Sequence, residues 1–204
     1  IRTRFEPLNR LLQTYDQSRE RKIFFFFAWG VGWGSKWHNP DWKSQLKTDT
    51  PEWDAAMQNF VVALEKYLVE EQGFTSEQIV INTEDEASGD INDPASHVAK
   101  AYRYGKLIKD SGAKIRLMLN PHMRDFDVTS RNLKKLSEVY DIFELYRPKL
   151  TPEIAVFAKT LNRELWVYSI LANTNKPDTY RRMSWENMRD GFSSVVASWH
   201  FDAS

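Results

Sequence analysis

Cysteine is absent from the 204-residue sequence, which excludes disulfide bonds and thiolate metal sites. An excess of charge of one sign is also lacking, because 28 basic residues balance 28 acidic ones and the formal net charge is zero. Neither nucleic acid nor a membrane surface is therefore an expected partner. The longest apolar run, residues 23–29, is far shorter than the roughly 20 residues that span a bilayer.

The composition is typical of a globular domain. With 42% hydrophobic and 14% aromatic residues, the chain can bury a large core, and no low-complexity linker divides it. We therefore predict a single domain over residues 1–204. The first residue is Ile1 and no signal peptide follows it, which we interpret as the start of a processed or excised segment.

Apolar segments typical of strands alternate with segments that have helical periodicity. Residues 23–29 form a continuous apolar run, as in a parallel strand that is covered on both faces. Thr50 and Pro51 are typical of a helix start, and Gly73 ends that helix before the next strand. This alternation predicts an α/β fold with parallel strands joined by right-handed crossovers. The six predicted strands are residues 23–29, 78–81, 114–119, 142–146, 165–171 and 194–201.

The ends of the predicted strands favour a (β/α)8 TIM-barrel type of fold over an open sheet. Each strand ends in polar or aromatic residues, as expected if all of them face one shared mouth. About six β/α units are two short of eight, and 204 residues are fewer than the ~250 of a typical complete barrel. We therefore expect an incomplete barrel, with the first two strands or another domain upstream to cover the exposed strand edges.

Three adjacent acids, Glu84, Asp85 and Glu86, follow the apolar strand at residues 78–81 and precede a predicted helix. Ligands of α/β proteins bind at this type of turn. A protonated carboxyl group beside an ionised one is also what the cleavage of glycosidic bonds uses. The alternative interpretation is a solvated turn whose acids stabilise the N-terminus of the next helix. The residues alone leave both interpretations open.

Other strand ends supply side chains that suit a neutral carbohydrate. Aromatic rings stack on the apolar faces of sugars, and amide groups form hydrogen bonds with sugar hydroxyls. For any single aromatic residue the alternative is core packing, which we expect for Trp53 and Trp185 because both lie on predicted helices. The candidate substrate-binding residues, besides Glu84, are Trp29, Asn120, Tyr146, Tyr168 and Trp199.

No metal or other cofactor is expected. His122 and His200 are the histidines nearest to predicted strand ends, but the sequence has no HxxxH or HxH pair, which zinc sites commonly use. Gly30, Gly32 and Gly34 alternate without a following GK[ST] element, so they do not form a phosphate-binding loop.

The order of these motifs resembles a known family. Residues 73–86, GFTSEQIVINTEDE, resemble the strand that ends in Asp-Glu-Pro in glycoside hydrolase family 123 and its uncharacterised relatives. Residues 164–168 and 180–199 look like the same family's terminal pattern of Arg, Trp, Gly and Trp. The similarity covers roughly residues 60–204. Ala87 replaces the usual proline and Glu84 adds a third acid, so a pair of Glu84 with Glu86 also stays open.

The resemblance implies a (β/α)-barrel and hexosaminidase-like chemistry. The implied activity is that of a β-N-acetylgalactosaminidase, which hydrolyses a glycan with a 2-acetamido sugar by substrate-assisted catalysis with retention. Carried over by position, Asp85 orients the acetamido group, and Glu86 protonates the leaving oxygen and then activates water. Asn120, Tyr146 or Tyr168 would hold the acetamido oxygen. The family also favours an extracellular or periplasmic protein of carbohydrate metabolism.

Two other functional hypotheses remain. The first is a non-catalytic carbohydrate-binding or structural barrel domain, which the two missing strands favour because a pocket without a wall excludes water poorly. The second is a retaining hydrolase with Glu86 as the acid and Glu144 as the nucleophile, which requires carboxyl groups ~5–5.5 Å apart.

Overall fold

The computed structural model describes residues 24–27, 49–84, 86–168 and 185–192, and for residues 24–27 it describes the backbone alone. The predicted last strand, residues 194–201, lies outside the described residues. So does an N-terminal helix that the leucine spacing predicts for residues 4–20.

The described strands form one parallel sheet whose order in space follows the chain. Each new strand therefore joins the same edge of the sheet, and the strand order never reverses. The prediction of an α/β fold with a parallel sheet is confirmed. The strands are β1 (Phe24–Phe27), β2 (Ile79–Asn82), β3 (Arg116–Leu119), β4 (Ile142–Tyr146) and β5 (Glu164–Tyr168).

Among the described residues, four helices of nine or more residues connect or flank these strands, and each begins at a side-chain cap. The caps are Thr50, Ser96, Asp125 and Thr151, each of which accepts a hydrogen bond from the backbone N–H three residues later. Such caps each stabilise a helix by ~1 kcal/mol. The helices are α1 (Pro51–Lys66), α2 (His97–Asp110), α3 (Phe126–Leu136) and α4 (Pro152–Thr160). Short π and 3-10 turns cover Tyr67–Glu71, Ser76–Gln78 and Arg147–Lys149, and residues 185–189 are helical.

All four helices pack on one face of the sheet. Successive strand residues point to opposite faces, and one face joins buried residues of every helix in a single core. Its strand residues include Ile81, Leu117, Phe143 and Val167. The opposite face carries a second, smaller cluster of Val80, Met118 and Ile142 with the partly buried Trp166. That opposite face is the one on which the candidate site is built.

The two tryptophans that were expected in the core, Trp53 and Trp185, differ in their exposure to solvent. Trp53 is 9% exposed and packs edge-to-face on Tyr104 with ring centroids 5.0 Å apart, so this prediction is confirmed. Trp185 is 72% exposed, and its prediction is wrong. The short helix at residues 185–189 buries Asn187 instead, and residues two apart lie on nearly opposite sides of a helix. Among the described residues, no helix combines the length and apolar character needed to cross a membrane.

Candidate functional site

A layer of polar side chains lies on the face of the sheet that the helices do not cover. We call Val80, Met118, Ile142 and Trp166 the apolar layer. The residues two positions later on the same strands are Asn82, Asn120, Glu144 and Tyr168, which we call the polar layer. Because side chains of a strand repeat every two residues, both layers share this face.

Each residue of the polar layer is buried, with 1% exposure for Asn82 and Asn120 and 4% for Glu144 and Tyr168. Burial of polar groups costs free energy unless hydrogen bonds replace those to water. Asn82, Asn120 and Tyr168 lie at the carboxyl ends of parallel strands, where ligands of α/β proteins bind, and Glu144 lies two residues before the end of β4.

Asn82 connects the ends of two strands. Its Nδ2 atom donates a hydrogen bond of 3.2 Å to Oδ1 of Asn120, and its Oδ1 atom accepts one of 3.1 Å from the backbone N–H of Glu84. The first bond joins β2 to β3, and the second starts the turn that follows β2. Asn82 was not among the candidates from the sequence, although it directly precedes the acidic residues.

Glu86 lies in this turn and is half-buried. Its backbone φ angle is +46°, a left-handed conformation that is unusual for a residue other than glycine and costs ~1 kcal/mol or more. The next residue, Ala87, forms an isolated bridge with Pro121, and its carbonyl accepts a 2.9 Å hydrogen bond from the backbone N–H of His122. The turn is thus attached to the segment that follows β3.

Tyr168 reaches Glu86 from the end of β5. Its hydroxyl donates a hydrogen bond of 3.1 Å to Oε1 of Glu86. Tyr146, which pairs with Tyr168 in the sheet register, holds its ring beside that of Tyr168, with centroids 5.1 Å apart and planes tilted by 38°. A carboxylate and two aromatic rings therefore meet at the carboxyl ends of β4 and β5.

Glu84 has a different environment from Glu86. Glu84 is 4% exposed, and its Oε1 lies 3.8 Å from Nδ1 of His97, the first residue of α2. The solvated-turn interpretation thus describes the location of Glu84, beside a helix N-terminus, but not its burial. The two acids therefore have different neighbours: Glu84 contacts His97 of α2, and Glu86 contacts Tyr168 of β5.

Two buried tyrosines lie near Glu84. Burial is the largest cause that raises the pKa of Tyr140 above its ordinary value, and the carboxylate of Glu84 adds to it. Burial is also the largest cause that raises the pKa of Tyr104, and its 2.5 Å hydrogen bond to Asp49 raises that pKa further. Both phenols therefore stay neutral over the physiological pH range.

The remaining candidates are placed as follows. Glu86, Tyr168 and Tyr146 come together at the carboxyl ends of β4 and β5. Asn120 follows β3 and bonds to Asn82, and Glu144 lies in β4 as part of the polar layer. Asp85, Trp29, Trp199 and His200 lie outside the described residues. No group of three or more His, Asp or Glu side chains that could hold a metal ion occurs within residues 49–84, 86–168 and 185–192.

A groove of about 430 Å³ lies elsewhere on the surface, and α3 supplies four of its eight lining residues. None of its lining residues belongs to the polar layer or to the turn after β2. Its lining residues are Ile91, Asn92, Ser130, Arg131, Lys134, Lys135, Glu138 and Phe157.

Comparison of the chain with protein families, curated proteins and solved structures found no match.

Proposed function

We propose that the chain is a barrel-type glycoside hydrolase domain that acts on a neutral glycan with a 2-acetamido sugar. Glu86 is its general acid and base, and Asp85 orients the acetamido group. The observation that carries this proposal is the hydrogen bond from Tyr168 to Glu86, because it joins a carboxylate after β2 to an aromatic residue at the end of β5.

The same hydrogen bond supports a barrel-like curvature of the sheet. Adjacent strands lie ~4.8 Å apart, so β2 and β5, with two strands between them, would be about 14 Å apart in a flat sheet. A direct contact between side chains from these two ends is favoured by a sheet that curves around the polar layer. The strand order, which never reverses, and the helices on one face are also typical of a barrel segment.

The chemistry uses the substrate as its own nucleophile. The acetamido carbonyl oxygen attacks the anomeric carbon while the bond to the leaving oxygen breaks, and Glu86 gives its proton to that oxygen. Glu86 then takes a proton from water as this water attacks the anomeric carbon and opens the cyclic intermediate. Tyr168 orients the Glu86 carboxyl group, and the ring of Tyr146 offers an apolar surface for the sugar.

Glu144 suits this site as part of its wall. Glu144 lies two residues before Tyr146, the last residue of β4, so its backbone is about 7 Å away from the carboxyl end of the strand. Its side chain is buried, with 4% exposure. A nucleophile needs direct access to the anomeric carbon, whereas a buried carboxylate in the polar layer stabilises the arrangement of its neighbours. We therefore favour substrate-assisted chemistry over a Glu144 nucleophile.

Hydrolysis of 4-nitrophenyl N-acetyl-β-D-galactosaminide tests the proposal. Glu86→Gln keeps an oxygen that accepts the bond from Tyr168 but cannot transfer the proton, so we expect at least a 100-fold lower rate. Glu153→Gln, an exposed change on α4, is the matched control and should retain full activity. Undiminished turnover by Glu86→Gln would overturn the assignment. Sugar binding by tryptophan fluorescence without any turnover would instead indicate the non-catalytic carbohydrate-binding domain.

A further inference from the structure

A buried phenol connects the turn after β2 to helix α2. Tyr140 is 0% exposed, and its hydroxyl donates a 2.7 Å hydrogen bond to the carbonyl oxygen of Ala101 in α2. The Tyr140 oxygen also contacts Oγ1 of Thr83, the residue directly after β2. A phenol has a single hydrogen to donate, so Thr83 is the donor in this second bond. The chain of bonds therefore runs from Thr83 through Tyr140 to Ala101.

Gly105 makes room for this phenol. Gly105 lies inside α2, where glycine destabilises a helix by ~1 kcal/mol relative to alanine. A Cβ atom at this position would lie 3.0 Å from both Cζ and Oη of Tyr140 and 2.7 Å from Cγ1 of Val139. The missing side chain thus allows the phenol to approach the helix closely enough to reach the carbonyl of Ala101.

We infer that Tyr140, seated by Gly105, is a positioning residue for the turn that carries Glu86. The turn is attached at Thr83 by Tyr140, at Glu84 by Asn82 and at Glu86 by Tyr168. The attachment at Thr83 ties the turn to helix α2, because the hydroxyl of Tyr140 bonds to both Thr83 and the carbonyl of Ala101. The role in catalysis rests on the proposed function, whereas the role in fixing the turn does not.

Amide hydrogen exchange tests the positioning role without any substrate. Tyr140→Phe removes the hydroxyl and keeps the ring, and Gly105→Ala adds one methyl group against it. The probes are two amides of the turn region: that of Glu84, bonded to Asn82, and that of His122, bonded to Ala87. The reference is the amide of Glu164, which donates to the carbonyl of Asp141 at the start of β5.

We expect both variants to accelerate exchange at Glu84 and His122 by about fivefold or more and to leave Glu164 unchanged, because the loss is local. The control Tyr102→Phe removes a hydroxyl from α2 that bonds to Glu138 instead, and it should accelerate neither turn amide. Equal acceleration at all three amides, which indicates general destabilisation, would overturn the inference. Unchanged exchange at the two turn amides would overturn it as well.

Kinetics with the nitrophenyl glycoside then separate this inference from the proposed function. If the domain hydrolyses this substrate, Tyr140→Phe should lower kcat more than it changes KM, because the displaced group is Glu86 and not the sugar-binding surface. If the wild-type chain does not hydrolyse it, the proposed function fails, and the exchange experiment still decides whether Tyr140 positions the turn. Accelerated turn exchange with unchanged kcat in an active enzyme would overturn the catalytic part of the role.

Discussion

Tyr168 Oη lies 3.1 Å from Oε1 of Glu86, although two strands separate β2 from β5. The two residues are 82 positions apart in the chain. Their contact therefore depends on the whole of the intervening sheet, with its β3 and β4 strands in register. A change to either residue reports on both the site and the curvature of the sheet.

Removal of the Tyr168 hydroxyl should weaken the fold measurably. Tyr168→Phe deletes the hydrogen bond to Glu86 but keeps the ring contact with Tyr146, so we expect a loss of ~1–2 kcal/mol in the free energy of unfolding. Urea denaturation followed by circular dichroism measures it. Tyr146→Phe keeps the same ring contact and leaves the Tyr168 bond intact, so its loss should be smaller. Equal losses in the two variants would show that the bond to Glu86 contributes nothing.

The left-handed backbone at Glu86 predicts an unusual order of stability among its variants. Glu86→Gly and Glu86→Ala both remove the carboxyl group, so they differ in their tolerance of φ +46° and in the larger backbone entropy that glycine loses on folding. Glycine adopts this conformation without steric cost, and we expect Glu86→Gly to be about 1 kcal/mol more stable than Glu86→Ala. Thermal unfolding of the two variants measures the difference.

Two other positions calibrate this comparison. Asn162 is exposed and has a φ of +52°, so its Gly variant should also exceed its Ala variant. Lys106 is exposed inside α2, where Ala should exceed Gly by about 1 kcal/mol. If Glu86 followed the order of Lys106, its backbone would not be strained and the left-handed conformation would not be required by the turn.

The strands and two of the helix starts were predictable because they depend on local patterns. Apolar runs predict β1 to β5. Thr50-Pro51 and Thr151-Pro152 each predict a helix start, and both are confirmed by the caps at Thr50 and Thr151. For α3 the sequence pattern predicts a helix over residues 129–138, three residues later than its observed start at Phe126. The observed start is set by Asp125, whose side chain accepts a hydrogen bond from the backbone N–H of Val128.

The surroundings of the acidic residues could not be derived from local patterns. The alternation that assigns faces along β2 stops at Asn82, the last strand residue, so it does not apply to Glu84 or Glu86. Glu84 contacts His97 because the loop before α2 returns to the strand end. Tyr140 meets Thr83 across 57 positions, a contact that only the assembled layers create. Tertiary structure therefore decides which acid faces the helix and which faces β5.

The amide pair of the polar layer should show energetic coupling. Asn82→Ala removes the donor and Asn120→Ala removes the acceptor of their 3.2 Å hydrogen bond. In a double-mutant cycle we expect the two losses in unfolding free energy to be non-additive by ~1 kcal/mol, because the second change finds the bond already absent. Chemical denaturation of the four proteins measures this. Strict additivity would mean that the amides do not act as a pair.

Alkaline pH should destabilise the protein through its buried phenols. Burial raises the pKa of Tyr140 in the folded state above its ordinary value of 10.0, so above pH 10 the unfolded chain has released a proton that the folded chain retains. Stability from this group is therefore fully present below pH 10 and is lost as the pH rises toward the folded-state value. Tyr140→Phe removes this titrating group, so between pH 9 and 11 the variant should lose less unfolding free energy than the wild type. Urea denaturation at each pH measures the two losses, and equal losses would contradict a buried, neutral phenol at this position.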